Sequence, residues 1–387
     1  MLTKRTRKSK KSNVRLAILS IMLLAIFGVA IATNAFDLER FRECPVILPQ
    51  NGVITANGSS LRWNIEGDTL YLHGGTGVTL NTAGFRSPWE QHGEAIGTVV
   101  FTGPVVGESS LANLFANLPR LRTIQGLELL DVSNVEDMHG MFYSARHLAH
   151  LDVSNWNTAN VRDMSFMFHG VISQTELDVS GWNTENVTNM RAMFQLTNIS
   201  ELDVSNWNTQ NVEDMSWMFT NSTTTAKLDV GRWNTGNVTN MRNMFRGVAR
   251  LEELDVSNWN VSNVRNMSGM FLATSMPKLN LSRWNTQNVE NMEGIFEHST
   301  RLNVLHLGAG FATPEGENGR WSLSTLFPGK GWRNVGSGTI EQPEGEFFLS
   351  SEELNNRYVN PATRTSEIWV QWWHFEMPDE WREAHRH

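Results

Sequence analysis

The chain has 387 residues, 40% of them hydrophobic and 19% charged, with a formal net charge of −8. Seven of its 32 Lys and Arg fall within the first 15 residues, so the remainder sets 25 cations against 40 carboxylates and carries −15. Such a body is repelled by nucleic acid and by anionic membrane surface, and a single cysteine, Cys44, excludes a disulfide within the chain.

The N-terminus holds Lys4, Arg5, Arg7, Lys8, Lys10, Lys11 and Arg15 ahead of an apolar run from Leu16 to Ala32. Ala30 and Ala32 stand where a signal peptidase reads small residues. Residues 1–36 therefore read as a signal peptide cut after Ala32, or as an uncut membrane anchor with its basic end inside. Export is expected either way. Arg42-Glu-Cys-Pro45 lacks the aliphatic lead-in of a lipid-modified cysteine.

Residues 37–109 predict a small β cap. Arg62-Trp-Asn-Ile65, Thr69 to His73 and Gly97 to Thr102 are short β runs separated by turn residues.

From 110 to 307 the chain repeats. Trp156, Trp182, Trp207, Trp233, Trp259 and Trp284 are spaced 25 or 26 residues apart, and a Met follows each by eight: Met164, Met190, Met215, Met241, Met267 and Met292. A fixed period of this size means stacked supersecondary units. A shortened copy opens at Leu130 without the Trp-Asn-Thr insert, Ser110 to Phe115 resembles a degenerate first copy, and Leu302, Leu305 and Leu307 a drifted last one. Roughly seven to eight coils are expected.

The copy from Leu202 to Phe219 shows the design. Leu202 and Val204 alternate with Asp203 and Ser205, as in a short strand. Val212, Met215, Met218 and Phe219 make one stripe of a helix, with Thr209 or Asn211 placed to cap it. The fold expected is thus an α/β solenoid resembling leucine-rich repeats, each coil running strand, turn, short helix, loop. Leu202, Val204, Trp207, Val212, Met215, Met218 and Phe219 form its core pattern.

Three ladders accompany it. The Trp column either packs coil on coil, which is preferred, or stacks on sugars. The Asn after each Trp (Asn157, Asn183, Asn208, Asn234, Asn260, Asn285) is expected to bond backbone groups of its turn. The Asp column (Asp152, Asp178, Asp203, Asp229, Asp255) needs an offset to like-charge repulsion. Local bonds to Ser or backbone would supply it; the sharper reading is an acidic strip facing a basic ligand or a cation. These five Asp are the candidate ligand-facing positions.

Residues 308–387 read as a small separate module: a Gly/Pro/Glu-rich break, a helix-like Ser350 to Leu354, an aromatic strand from Ile368 to Trp373, and a frayed tail from Pro378. His147 and His150 lack partners at metal-ligand spacing, and no nucleophile, zincin or phosphate-loop motif occurs. No enzyme activity, metal or cofactor is expected.

Leu-Asp-Val-Ser-x-Trp-Asn-Thr-x-Asn-Val-x-x-Met-x-x-Met-Phe resembles the repeat of BspA-type leucine-rich repeat surface proteins over residues 130–307. Ser87-Pro-Trp89, Ile124 to Leu127, Gly331 to Thr339 and Glu367 to Val370 are similar to segments flanking the array in its lactobacillus-like branch. The resemblance implies an exported cell-surface adhesin binding host matrix, epithelial or bacterial ligands, protein or glycan. No Leu-Pro-x-Thr-Gly sorting signal closes this sequence, so any attachment is expected to run through the N-terminal segment or non-covalently through the tail module. The alternative is a structural spacer that presents that module.

Overall fold

The computed structural model describes residues 49–55, 58–82, 86–223, 225–321, 323 and 330–373, all within one compact unit, Leu48–His387. The signal or anchor segment, Cys44 and the tail from Pro378 lie outside the described residues.

Strands β1 (Asn51–Ile54), β2 (Leu61–Glu66) and β3 (Thr69–His73) pair antiparallel, burying Leu61, Ile65, Leu70 and Leu72 on one face. After β3 the pairing turns parallel. With β4 (Thr79–Leu80), β5 (Thr98–Phe101), β6 (Val105–Gly107), β7 (Thr123–Gln125) and β8 (Leu130–Asp131), two ladders run side by side, β3–β5–β7 and β4–β6–β8. Coil-on-coil stacking is thus already present in the region expected to form the β cap.

Further along, single parallel bridges at Ser110, Asp137, Asp163, Asn189, Asp214, Asn240, Asn266 and Asn291 mark one rung per coil. The whole is a β-solenoid of about nine turns with little helix. This corrects the expected α/β unit. The segment Met215–Thr220 is a chain of turns, not a helix. Met218 N–H donates back to Met215 and Thr220 N–H to Trp217, while the N–H groups of Met215, Trp217, Phe219 and Asn221 cross to carbonyls of the next coil. Neighbouring amides therefore alternate between a bond inside the coil and a bond to the next one.

That alternation needs left-handed backbone at two positions per coil, two and six residues after the Met. Trp217 and Asn221 have φ of 63° and 56°, and Gly247 has 70°. An α-helix cannot contain such residues. Gly is relaxed there, and at Gly247 a Cβ would also collide with the Asn221 amide. The helical stripe Val212, Met215, Met218, Phe219 is still buried, because the turns bring the same residues inward.

The expected strand is corrected too. Leu202–Val204 falls outside the strands, and the Val204 carbonyl is taken by the Trp233 indole N–H of the next coil at 3.0 Å. Thr209 and Asn211 cap no helix. The Thr209 hydroxyl donates to the Asn234 carbonyl one coil on (3.0 Å), and the Asn211 amide to the Glu185 carbonyl one coil back (2.8 Å).

Inside, Phe115, Phe142, Phe168, Phe194, Phe219, Phe245, Phe271 and Phe296 stack at 5.7–6.0 Å between ring centroids. Trp89 lies stacked on the first of them and Trp321 meets the last edge-on, at 89°. A second column, Trp156 to Trp259, stacks at 6.2–6.5 Å.

Strands β9 (Lys278–Leu281) and β10 (Val304–Leu307) continue the parallel stack. The tail module then adds β11 (Lys330–Asn334), β12 (Phe348–Leu349), helix α1 (Ser351–Val359) and β13 (Glu367–Trp373). Antiparallel pairing of β13 to β10 covers the last coil's open edge, giving the order β12–β11–β13–β10–β9. Helix α1 begins on a capping box between Ser350 and Glu353. Its Tyr358 hydroxyl accepts from the Trp369 indole at 3.1 Å, and burial pushes its pKa up to about 12. Among the described residues no helix is long and apolar enough to cross a membrane.

Candidate functional site

The five candidate Asp residues, 152, 178, 203, 229 and 255, are all exposed, one per coil, along one edge of the solenoid. Four of them are satisfied locally. One carboxylate oxygen of Asp203 accepts both the Ser205 amide (3.0 Å) and its hydroxyl (2.7 Å), and Asp152, Asp178 and Asp255 do the same with Ser154, Ser180 and Ser257. The Ser hydroxyl and then its amide hold Asp152, Asp203 and Asp255 below the usual carboxylate range. In the next coil Asn280 takes the same two bonds from Ser282 without a charge. The position needs an acceptor, and an amide serves as well as a carboxylate.

The Trp column is buried and its polar edge is used. Trp182, Trp207, Trp233, Trp259 and Trp284 each donate from Nε1 to a Val carbonyl of the preceding coil at 2.9–3.1 Å. These five indoles serve the stack. Trp156 differs: its buried Nε1 has no partner, although the shortened copy before it keeps the corresponding Val132. A cavity of about 90 Å³ opens beside it, lined by Ile124, Leu127, Glu128, His150, Asp152 and Trp156 among others. The Asn after each Trp bonds its own turn as expected; Asn208 Oδ1 accepts from Gln210 N–H at 3.2 Å.

A second acidic column escaped the sequence reading. Asp137, Asp163 and Asp214 share their rung with Asn189, Asn240, Asn266 and Asn291. Asn189 donates to Asp163 (3.0 Å) and Asn240 to Asp214 (3.2 Å), so the charges are partly offset by amides of the following coil.

The turn segments after each Met carry a different surface. Tyr143, Phe166, His169 and Trp217 are half-buried there, and Arg191 and Arg242 are exposed. Tyr143 and His169 stack at 4.6 Å, and His169 Nδ1 meets Gln195 Oε1 at 3.1 Å. The Arg191 guanidinium lies 5.6 Å from the Phe166 ring, and that of Arg242 lies 5.6 Å from the Trp217 ring. Ile172 and Leu196 add exposed apolar side chains, each 41% accessible. The signal for this ridge lay in the repeat itself. Its residues vary from copy to copy where their neighbours do not, and chain stacking does not require them.

In the tail module a cleft of about 540 Å³ lies between the Pro314–Arg320 loop and α1, lined by Glu315, Glu317, Arg320, Glu352 and Asn355 among others. Among the described residues no group of three or more His, Cys, Asp or Glu is placed to hold a metal ion.

The model of a family described as "Mycoplasma protein of unknown function, DUF285" matches residues 109–229 and 215–306, together just over half of the chain. No curated protein and no solved structure matches.

Proposed function

We propose that this chain, which belongs to the DUF285 family, is an exported surface protein whose solenoid binds ligands. Its ligands are host matrix, epithelial or bacterial surface molecules, protein or glycan. The carrying observation is the division of labour in the repeat. Phe, Met and Trp residues that recur are spent on neighbouring coils, whereas Phe166 and Trp217 stand where other coils hold Gly, Ala or Asn, and Tyr143, Arg191 and Arg242 at positions whose residue changes from coil to coil. A rigid face with side chains unlike one another is what recognition needs.

The basic and apolar N-terminal pattern supports export to the bacterial cell surface, and the repeat's likeness to BspA-type proteins supports adhesion by analogy. We infer a non-catalytic protein, since the carboxylates recur rung by rung as scaffold groups do. The body's excess of carboxylates disfavours nucleic acid as a partner and leaves the N-terminal segment as the membrane contact.

One observation favours a second reading. Strand β13 is zipped onto β10, so array and tail share one sheet, as suits a spacer that presents the tail module. Binding of the full chain to immobilised fibronectin, fibrinogen, mucin and a glycan panel separates the two. Saturable binding to any of them supports the first, and none on the whole panel supports the spacer.

A further inference from the structure

From residue 139 to residue 275, the eight residues that follow each Met contain no Asp or Glu. The segments are 139–146, 165–172, 191–198, 216–223, 242–249 and 268–275. They carry Arg146, Arg191, Arg242 and Arg246, with His139 and His169, in a chain whose formal charge is −8. Within these segments six consecutive coils carry four guanidinium groups and no carboxylate, and the column of Asp137, Asp163 and Asp214 borders them, one residue before the Met.

Two pairs on this strip are built alike. Phe166 carries the Arg191 guanidinium from the next coil, and Trp217 carries that of Arg242, both at 5.6 Å. The pairs are two coils apart, roughly 10 Å at the usual spacing between strands. Both aromatic residues occupy the left-handed column, at φ of 58° and 63°, where other coils hold Asn113, Gly140, Ala192, Asn243, Gly269 and Gly294. A bulky side chain is strained there, and the half-buried rings are not needed to fill the core, which closes over Gly140, Ala192 and Asn243 in the neighbouring coils. Strain accepted to set a ring at the surface under a cation, with His139, Tyr143 and His169 packed around Phe166, marks a recognition element.

We infer that these paired Phe166/Arg191 and Trp217/Arg242 elements form the binding site for a linear acidic polysaccharide. The rings hold the guanidinium forks in place at the surface, where carboxylate or sulfate groups of the glycan meet them. A glycan with one anionic group on every second sugar presents its charges at a step comparable to two coils. Its sparse charge also suits a negatively charged body better than a polyanion charged at every unit. The inference rests on the ligand-binding reading above and names its ligand class and its residues.

The test uses the full chain against immobilised hyaluronate and heparin, with dextran, poly-glutamate and oligo-dT as competitors, at low and physiological salt. Expected is saturable binding to an acidic glycan that weakens with salt, that dextran does not compete, and that drops about tenfold or more in Arg191→Ala/Arg242→Ala. Trp217→Asn should lose binding while melting no lower than the parent, since Asn relaxes the backbone there. Arg265→Ala, outside the strip, should bind as the parent does. The site is overturned if neither acidic glycan binds better than dextran, if the double variant binds unchanged, or if poly-glutamate or oligo-dT competes as well as the glycan. A matrix protein that binds parent and double variant alike would also remove this site while leaving the ligand-binding reading intact.

Discussion

The indole N–H of Trp207 donates to the carbonyl of Val179, 3.1 Å away in the preceding coil. The same bond recurs from Trp182 to Trp284, so a side chain does the work that a strand's backbone amide would do in a regular parallel sheet. Each Trp both stacks on its neighbours and ties one coil to the one before.

Trp207→Phe keeps a ring in the column but removes one of two donors to the Val179 carbonyl, which still accepts the Trp182 N–H at 3.2 Å. The expected cost is about 0.5–1.5 kcal/mol. Urea denaturation of the two proteins measures it, and an unchanged midpoint would reduce the bond to a geometric coincidence.

Met215 and Phe219 are buried to within 1% of full coverage. Met215→Asp or Phe219→Asp places an unpaired charge between coils and should cost more than about 4 kcal/mol, spreading to both neighbours. Met215→Leu should cost less than about 1.5 kcal/mol. Thermal melts decide between these; an aspartate variant that melts like the parent would disprove the inward placement.

Asp203 accepts two bonds that Asn280 accepts in its own coil, so Asp203→Asn should lie within about 0.5 kcal/mol of the parent. Asp203→Ala removes the acceptor and should cost about 1 kcal/mol. The folded-state pKa values of Asp152, Asp203 and Asp255 lie below the ordinary 3.8. Their contribution is therefore complete above pH 3.8 and declines as pH falls through the lower folded values. Replacing all three by Asn should flatten the acid limb of a stability–pH curve, and a limb of unchanged steepness would place the acid sensitivity elsewhere.

Burial is the first cause lowering the His169 pKa from 6.5, the nearby Arg146 lowers it further, and the Gln195 bond opposes both. The unfolded chain binds the proton more readily, so stability falls as pH drops from 6.5 toward the folded value. His169→Gln should remove that slope. Melting temperatures taken between pH 7.5 and 5 in both proteins give the answer.

Residue spacing alone revealed the period, the coil stack and the buried identity of Leu202, Val204, Trp207, Val212, Met215, Met218 and Phe219. These follow from sequence because burial demands apolar side chains at a fixed phase, whatever path the backbone takes between them. The path itself was misread. Val212, Met215, Met218 and Phe219 fit a helical stripe and also fit a chain of turns whose left-handed residues recur four apart. The clue was present in Gly140, Asn243, Gly247, Gly269 and Gly294, which are poor helix residues in two fixed columns. The Asp column carried only its chemistry; which local donors would satisfy it depended on the turn at Ser205.

By itself, then, the sequence determined that coils stack and which side chains face inward, because both depend on composition in phase. Only the tertiary structure decided how the coils are joined and what they show to solvent. Hydrogen bonds such as Trp207 to Val179, and pairings such as Arg242 over Trp217, join residues about one period apart in sequence, and they come within reach only when one coil lies on the next.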